Sequence, residues 1–180
     1  MQPIGTRADL FATFTTYNSA VYGRAQLMYQ ALHDVMGEEA FQEFLRDYYA
    51  RWQFRHVDRW AMQTTAERAF GKSLGWFFDQ WVTRVGNIDY ALRSPVTRRE
   101  GDGYVTTVTL ARTGAYRHPM PVGVRSASGW TVVRGDPSKD SEQLTIRTRE
   151  VPDAVWLDPF GAVDNPTGRF YRLTPRMSGR

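Results

Sequence analysis

The chain of 180 residues has no cysteine. That excludes a disulfide framework and any thiolate metal site, and it leaves the redox compartment open. Histidine is scarce as well: His33, His56 and His118 are the only three. None stands three to five residues from another, and no H-E-x-x-H is present, so the chain is expected to close no zinc site of its own. No G-x-S-x-G elbow and no phosphate-cradling glycine loop occur. No apolar run is long enough for a membrane helix. The N-terminus lacks a basic segment followed by an apolar one, so no signal peptide is expected. Lysine is nearly missing: Lys72 and Lys139 are the only two among 23 basic residues, at a net charge of +4. The arginines are scattered and often stand beside acids, as in Arg46-Asp47 and Arg149-Glu150. A nucleic-acid surface needs them clustered on one face, so none is expected.

What the chain does have is apolar patterning, at 42% hydrophobic and 14% aromatic residues, enough for an ordinary core. The organising stretch is Ser73–Tyr90, SLGWFFDQWVTRVGNIDY. Leu74, Phe77, Phe78, Trp81, Val82 and Val85 fall on one helical stripe. Ser73 stands where an N-cap belongs, and Gly86 where a left-handed C-terminal residue belongs. The period then changes from helical to alternating: Ile88, Tyr90 and Leu92 interleave with Asp89, Ala91 and Arg93. One helix closes a helical half and feeds a β half.

Upstream, residues 1–16 show no clear period. Val21, Ala25, Met28, Leu32, Val35 and Met36 predict a first helix over 18–36, stopped by Gly37. Glu38 and Glu39 open a second, where negative charge suits the helix dipole; its face is Phe41, Phe44, Leu45, Tyr48, Tyr49 and Trp52. Asp58 predicts the N-cap of a third running to Gly71, with Trp60, Met62, Ala66 and Phe70 inward. Short loops favour antiparallel hairpins. Downstream, strands are predicted at 88–93, 104–112, 119–126, 130–133, 143–148 and 154–157. Gly101-Asp102-Gly103, Ser128-Gly129 and Gly135-Asp136-Pro137 turn the chain between them, and Asp158-Pro159 and Asp164-Asn165-Pro166 read as further turns. The fold class is α+β. Residues 1–86 form a short helical bundle, 87–171 an antiparallel β-sandwich, and 172–180 a tail.

One side chain has chemical potential beyond packing. Tyr22 is predicted in the first turn of the first helix, followed by small Gly23 and cationic Arg24. A tyrosine there, with its hydroxyl toward a cleft, can donate a hydrogen bond to a developing oxyanion; the ordinary alternative is an amphipathic packing residue.

The order of several segments adds to this. V-Y-G-R-A at 21–25 precedes M-G-E-E-A-F at 36–41, L-R-D-Y-Y at 45–49 and G-K-S-L-G-W-F-F-D-Q-W-V at 71–82. G-N-I-D-Y-A-L then leads into strands that V-W-L-D-P closes. The series resembles the alanyl aminopeptidase (gluzincin) family of zinc metallopeptidases, downstream of their zinc site, over roughly residues 17–165. The resemblance implies that residues 1–86 end a thermolysin-like catalytic domain. It implies peptide hydrolysis at a peptide N-terminus, zinc as the family's cofactor, and Tyr22 as the oxyanion-stabilising residue of the Y-x-K-G segment. Arg24 replaces that segment's lysine and Ala25 its glycine. H-E-x-x-H, the third ligand and G-x-M-E-N are missing from the chain, so substrate-binding residues stay unassigned. The partner implied is an N-terminal catalytic portion, in cis or as a split piece. The other possibility is a non-catalytic interaction or scaffold module on the same fold. An apolar face left open on the first two helices is expected to drive association.

Overall fold

The computed structural model describes residues 1–161, 163 and 170–173. The chain divides into two compact units, Met1–Gly86 and Asn87–Arg180. The first is helical and the second is β, so the protein is α+β. The predicted turn at Asp164-Asn165-Pro166 and the end of the predicted tail, residues 174–180, lie outside the described residues.

In the helical unit a short 3₁₀ turn (Ala8–Leu10) precedes α1 (Phe14–Asn18). The first helix therefore starts earlier than the apolar period predicts. The cause is a capping box: the Thr13 hydroxyl accepts from the Thr16 N–H while the Thr16 hydroxyl accepts from the Thr13 N–H, which satisfies two donors that a helix start leaves open. A π-turn (Ser19–Arg24) continues the run into α2 (Ala25–Met36), which stops at Gly37 with φ 78°. α3 (Glu38–Trp52) opens on the expected acids. α4 (Arg59–Phe70) is capped by Asp58, whose carboxylate accepts from the Ala61 N–H, and ends at left-handed Gly71.

The expected face of α4 holds at Ala66, with Met62 and Phe70 half-buried, and is corrected at Trp60. Ala61, Gln63, Thr65 and Ala66 are buried, while Trp60 is exposed. Small residues let α4 approach α3 closely, and the Trp52 indole N–H donates to Thr65 Oγ1 at 3.3 Å.

The organising helix is also shorter than its stripe. α5 (Gly75–Phe78) passes directly into a second π-turn (Asp79–Thr83), and Arg84 is already extended at φ −121°, ψ 167°. Ser73 is not its N-cap. That place belongs to Leu74, and the Glu67 carboxylate accepts the Leu74 N–H at 2.8 Å. Gly86 has no positive φ, and Val85 is exposed. Four of the stripe's residues are core: Leu74, Phe77, Phe78 and Trp81 join Leu32 and Phe44 in the buried interior, while Val82 is half-buried.

In the β unit the described strands form two sheets. β1 (Tyr90–Glu100), β2 (Gly103–Arg112) and β5 (Ser141–Thr148) make an antiparallel sheet in the order β1-β2-β5. β3 (Pro121–Ser126), β4 (Gly129–Arg134), β6 (Ala154–Leu157) and β7 (Phe170–Arg172) make the other, in the order β4-β3-β6-β7. The sandwich core is the alternating inner set: Val108, Leu110, Leu144 and Ile146 from one sheet, Val122, Val124, Val155 and Leu157 from the other. Thr97 and Thr106 hide their hydroxyls by bonding to each other at 2.9 Å.

Most strand ends fall within two residues of the expected bounds, and β1 and β7 differ more. β1 runs well past Arg93, because a bulge between Arg93 and Val96 absorbs Ser94, at φ 49°, and Pro95 instead of ending the strand. Ile88 makes only an isolated bridge to Tyr116. β7 was not expected and continues to Arg172; its Tyr171 hydroxyl donates to the Leu92 carbonyl at 2.8 Å, tying the second sheet to the first.

Gly123 marks the outer face of the second sheet. A Cβ there would stand 2.8 Å from the Pro159 ring and 2.9 Å from Trp130. Gly123→Val is expected to cost about 1–3 kcal/mol by overpacking. Trp81→Ala, at a side chain only 5% exposed, is expected to cost about 3–5 kcal/mol. Urea unfolding measures both; a loss at Trp81 below about 1 kcal/mol would mark a surface residue.

Candidate functional site

Tyr22 does not lie in a first helical turn. It lies in the π-turn Ser19–Arg24, between α1 and α2. Such a turn carries one residue more than α-helical pitch allows, and π-turns recur at functional sites. The local phase has a clear result. Ala20 and Arg24 are buried, at 0% and 7%, while Tyr22, two residues from each, is 63% exposed. The phenol therefore faces solvent and the guanidinium faces the core.

The exposed ring is buttressed from one side. Tyr17 meets Tyr22 edge to face at 6.2 Å between centroids, and Tyr17 itself packs on Phe11 at 5.3 Å and Phe14 at 6.3 Å. This aromatic group orders the Tyr22 ring while leaving its hydroxyl open to an incoming acceptor.

Arg24 holds the turn from below. Its Nη1 donates to the Gly86 carbonyl at 3.2 Å and lies 3.4 Å from the Met1 sulfur. Nη2 reaches the Arg84 carbonyl at 3.5 Å, and the guanidinium carbon sits 5.9 Å from the centre of the Trp81 ring. A buried cation needs such partners, because taking it out of water is costly. The chain just past the second π-turn is thereby bound to the turn that carries Tyr22. The N-terminal segment joins the same region: the Gly5 N–H donates to the Val82 carbonyl at 2.9 Å, and a Cβ on Gly5 would meet Val82 at 2.9 Å.

The other candidate side chains are placed differently. His33, in the last turn of α2, pairs with Glu38 at 2.6 Å, and that bond, with one from Gln42, holds the Glu38 carboxyl below its ordinary range. His56 is exposed in the α3–α4 connection. His118 is buried in the β unit, where its backbone N–H donates to the Tyr90 hydroxyl, which donates in turn to the His118 carbonyl. Among the described residues, no three His, Cys, Asp or Glu side chains come together as a metal-holding group. Tyr29, one turn beyond Arg24, directs its hydroxyl to the Met62 sulfur at 3.9 Å; burial, reinforced by Tyr48, pushes its phenol above the usual range.

The π-turn itself escaped the apolar pattern. The one signal for it is Gly23, a residue that weakens a regular helix. Its Cβ position is open, with nothing within 4 Å, so packing does not require glycine there.

Arg24→Met is expected to lower stability by about 1.5–3 kcal/mol, the range for bonds to a charged donor, and Arg24→Lys to restore part of it. Chemical denaturation tests this; a loss under about 0.5 kcal/mol would show that the two carbonyls find other donors.

Residues 4–81 match the family model described as the Peptidase family M1 domain. No curated protein matches the chain. Among solved structures, the chain is similar to Legionella pneumophila aminopeptidase A, crystallised in complex with aspartic acid. The TM-score is 0.61 at 13% identity, over 85% of this chain and 18% of that one. At that identity the likeness is one of fold, and the chain spans under a fifth of the length of its neighbour.

Proposed function

We propose, from the premise that residues 4–81 are a segment of the M1 peptidase family, that the helical unit serves hydrolysis of the N-terminal peptide bond of peptides. Its contribution is Tyr22, which donates its phenolic hydrogen to the carbonyl oxygen of the bond under attack. The observation that supports this is the π-turn: it lies inside the matched segment and presents an ordered but solvent-open phenol.

The chemistry suits the group. As a nucleophile adds to a peptide carbonyl, charge builds on the oxygen, and a preplaced donor stabilises that charge more than it stabilises the substrate. A phenol supplies the donor without adding a net charge. The tyrosine contacts through Tyr17 limit the ring motion that would otherwise be lost on each turnover.

The M1 family uses zinc. The described residues do not supply its ligands, so the role assigned to this chain is confined to the hydrogen bond, and an N-terminal catalytic portion, in cis or as a split piece, is the partner the proposal requires. A second function, a non-catalytic interaction module on the same fold, is favoured by a separate observation, the open aromatic groove on α3.

Two measurements test the catalytic role. The dialysed chain should carry no stoichiometric zinc by elemental analysis. Joined to the zinc-bearing portion of an M1 aminopeptidase, it should support cleavage of an aminoacyl amide. In that assembly Tyr22→Phe should lower kcat by on the order of 10²–10³ with little change in KM, since the bond forms in the transition state. Tyr29→Phe is the control and should change neither. Near-full kcat in Tyr22→Phe, with metal content unchanged, would reduce Tyr22 to a packing residue.

A further inference from the structure

Tyr17 and Tyr22 stand five positions apart, yet their rings meet edge to face at 6.2 Å between centroids. Regular helical winding would separate them. At 3.6 residues per turn, positions five apart lie about 140° round the axis from each other, and the side chains that meet are three or four apart. What joins these two is the π-turn Ser19–Arg24. A turn closed by i to i+5 bonds winds one residue further than an α-turn, and that brings position 22 round to the side of position 17. The tyrosine pair is a product of the register of this turn.

A π-turn is rare, so it needs a hold of its own. Most of its side chains offer little. Ser19, Tyr22 and Gly23 are exposed, Val21 is half-buried, and a Cβ on Gly23 would touch nothing within 4 Å. The buried members are Ala20, with one methyl group, and Arg24. Helix α1, which carries Tyr17, has no buried residue.

Arg24 is the last residue of the turn. Its guanidinium donates to the carbonyls of Gly86 and Arg84, 62 and 60 residues further along the chain. A buried cation cannot leave such acceptors cheaply, so the turn keeps the register in which Arg24 points inward. The stretch just before those carbonyls also holds the chain upstream of the turn, since the Gly5 N–H donates to the Val82 carbonyl. Residues 82–86 therefore fix the run on both sides of Tyr22.

We propose that Arg24 is a positioning residue for the Tyr22 phenol: its grip on the Arg84 and Gly86 carbonyls holds the π register that sets the Tyr17 ring against Tyr22. The proposal rests on the reading of Tyr22 as a hydrogen-bond donor in catalysis. Arg24 touches no reacting atom, and its effect passes through the tyrosine pair. Two carbonyls are served by two nitrogens of one planar group, which a lysine ammonium on a flexible stem reproduces only in part.

Two measurements test it. The first reads the ring in the full chain, with 3-fluorotyrosine in place of tyrosine and fluorine NMR as the readout. The Tyr22 resonance is the one lost in Tyr22→Phe. Tyr17→Leu should move it. In Arg24→Met it should move toward its position in urea, and a further Tyr17→Leu should then leave it in place, while the resonances of buried Tyr90 and Tyr116 stay where they are and report an intact β unit. Arg24→Lys should fall between, and Arg24→Gln, which keeps one amide donor, takes the place of Arg24→Met if that variant does not fold. A Tyr22 resonance unmoved by Tyr17→Leu, or the same in every Arg24 variant as in the parent chain, would overturn the proposal. The second uses the assembly with the zinc-bearing portion. Arg24→Met should lower kcat by about tenfold or more with little change in KM, and by less than about twofold where Tyr22 is already Phe, because changes that act through one group do not add. An undiminished loss on the Tyr22→Phe background would make Arg24 a structural residue and overturn the proposal. The two readings fail separately. Full kcat in Tyr22→Phe removes the catalytic role of Tyr22, and the fluorine signal still decides whether Arg24 sets the ring.

Discussion

The buried guanidinium of Arg24 is the contact on which the helical unit turns. A cation that is 7% exposed must find acceptors, and here the acceptors are the carbonyls of Arg84 and Gly86. Those carbonyls follow a π-turn that has ended early, so they are not used by a continuing helix. The same side chain sits against Trp81, the last buried aromatic of the organising stretch. One residue therefore serves three ends. It closes the exposed end of the second π-turn, supports the first, and fixes the outward phase of Tyr22 relative to the core. A lysine presents a single ammonium, whereas a guanidinium reaches two carbonyls with separate nitrogens, so arginine suits this geometry.

The β unit is held by different means. Its hydroxyl groups are satisfied locally, as in Thr97 with Thr106 and in the Tyr90 hydroxyl that both donates to and accepts from the His118 backbone. Its outer face uses the space left by Gly123, into which the Pro159 ring and Trp130 fit. Trp130 then meets Trp156 and Phe160 edge to face, and Arg125 donates from Nε and Nη2 to the two carboxylate oxygens of Asp153. That pairing holds the Asp153 carboxyl below its ordinary range. The aromatic side chains of this sheet thus have partners within their own unit.

How much of this was legible follows from which forces leave a periodic trace. Burial does, so Leu74, Phe77, Phe78 and Trp81 gave the core helix. Capping chemistry at Asp58 and the breaks at Gly37 and Gly71 were visible for the same reason: particular residue types meet particular backbone needs. What stayed hidden was of two kinds. The π-turns insert one residue without changing composition, so α5 ended before Val85 and Tyr22 moved from a helix start to a helix interior. The face of α4 was hidden because close packing selected small residues, while the larger Trp60 stacks outside under Arg59. β1 outran its expected end because a bulge can accommodate Ser94 and Pro95 without stopping the strand.

The distribution of exposed apolar side chains separates the two units. In the β unit the large ones left open are mostly valines, Val96, Val132 and Val151, with Phe160 leaning on Trp130. Scattered single exposures of this kind are normal. In the helical unit they include more aromatics, among them Phe14 and Tyr22 around Tyr17, Tyr49 in the α3 groove and Phe54 in the turn that follows α3, beside Leu10, Leu45, Val57, Trp60 and Val85. An exposed ring contributes little to the hydrophobic free energy of folding, which scales with apolar area removed from water. The fold nonetheless fixes both groups. It fixes the first through a π-turn anchored by a buried cation, and the second through a left-handed phenylalanine in a turn with two backbone hydrogen bonds. Ordering such groups gains nothing for the isolated unit but lowers the cost of the next association, because the entropy of fixing those rings is already lost before a ligand arrives. The two surfaces differ in what they expose: a phenol at Tyr22, and an apolar recess along α3 at Tyr49.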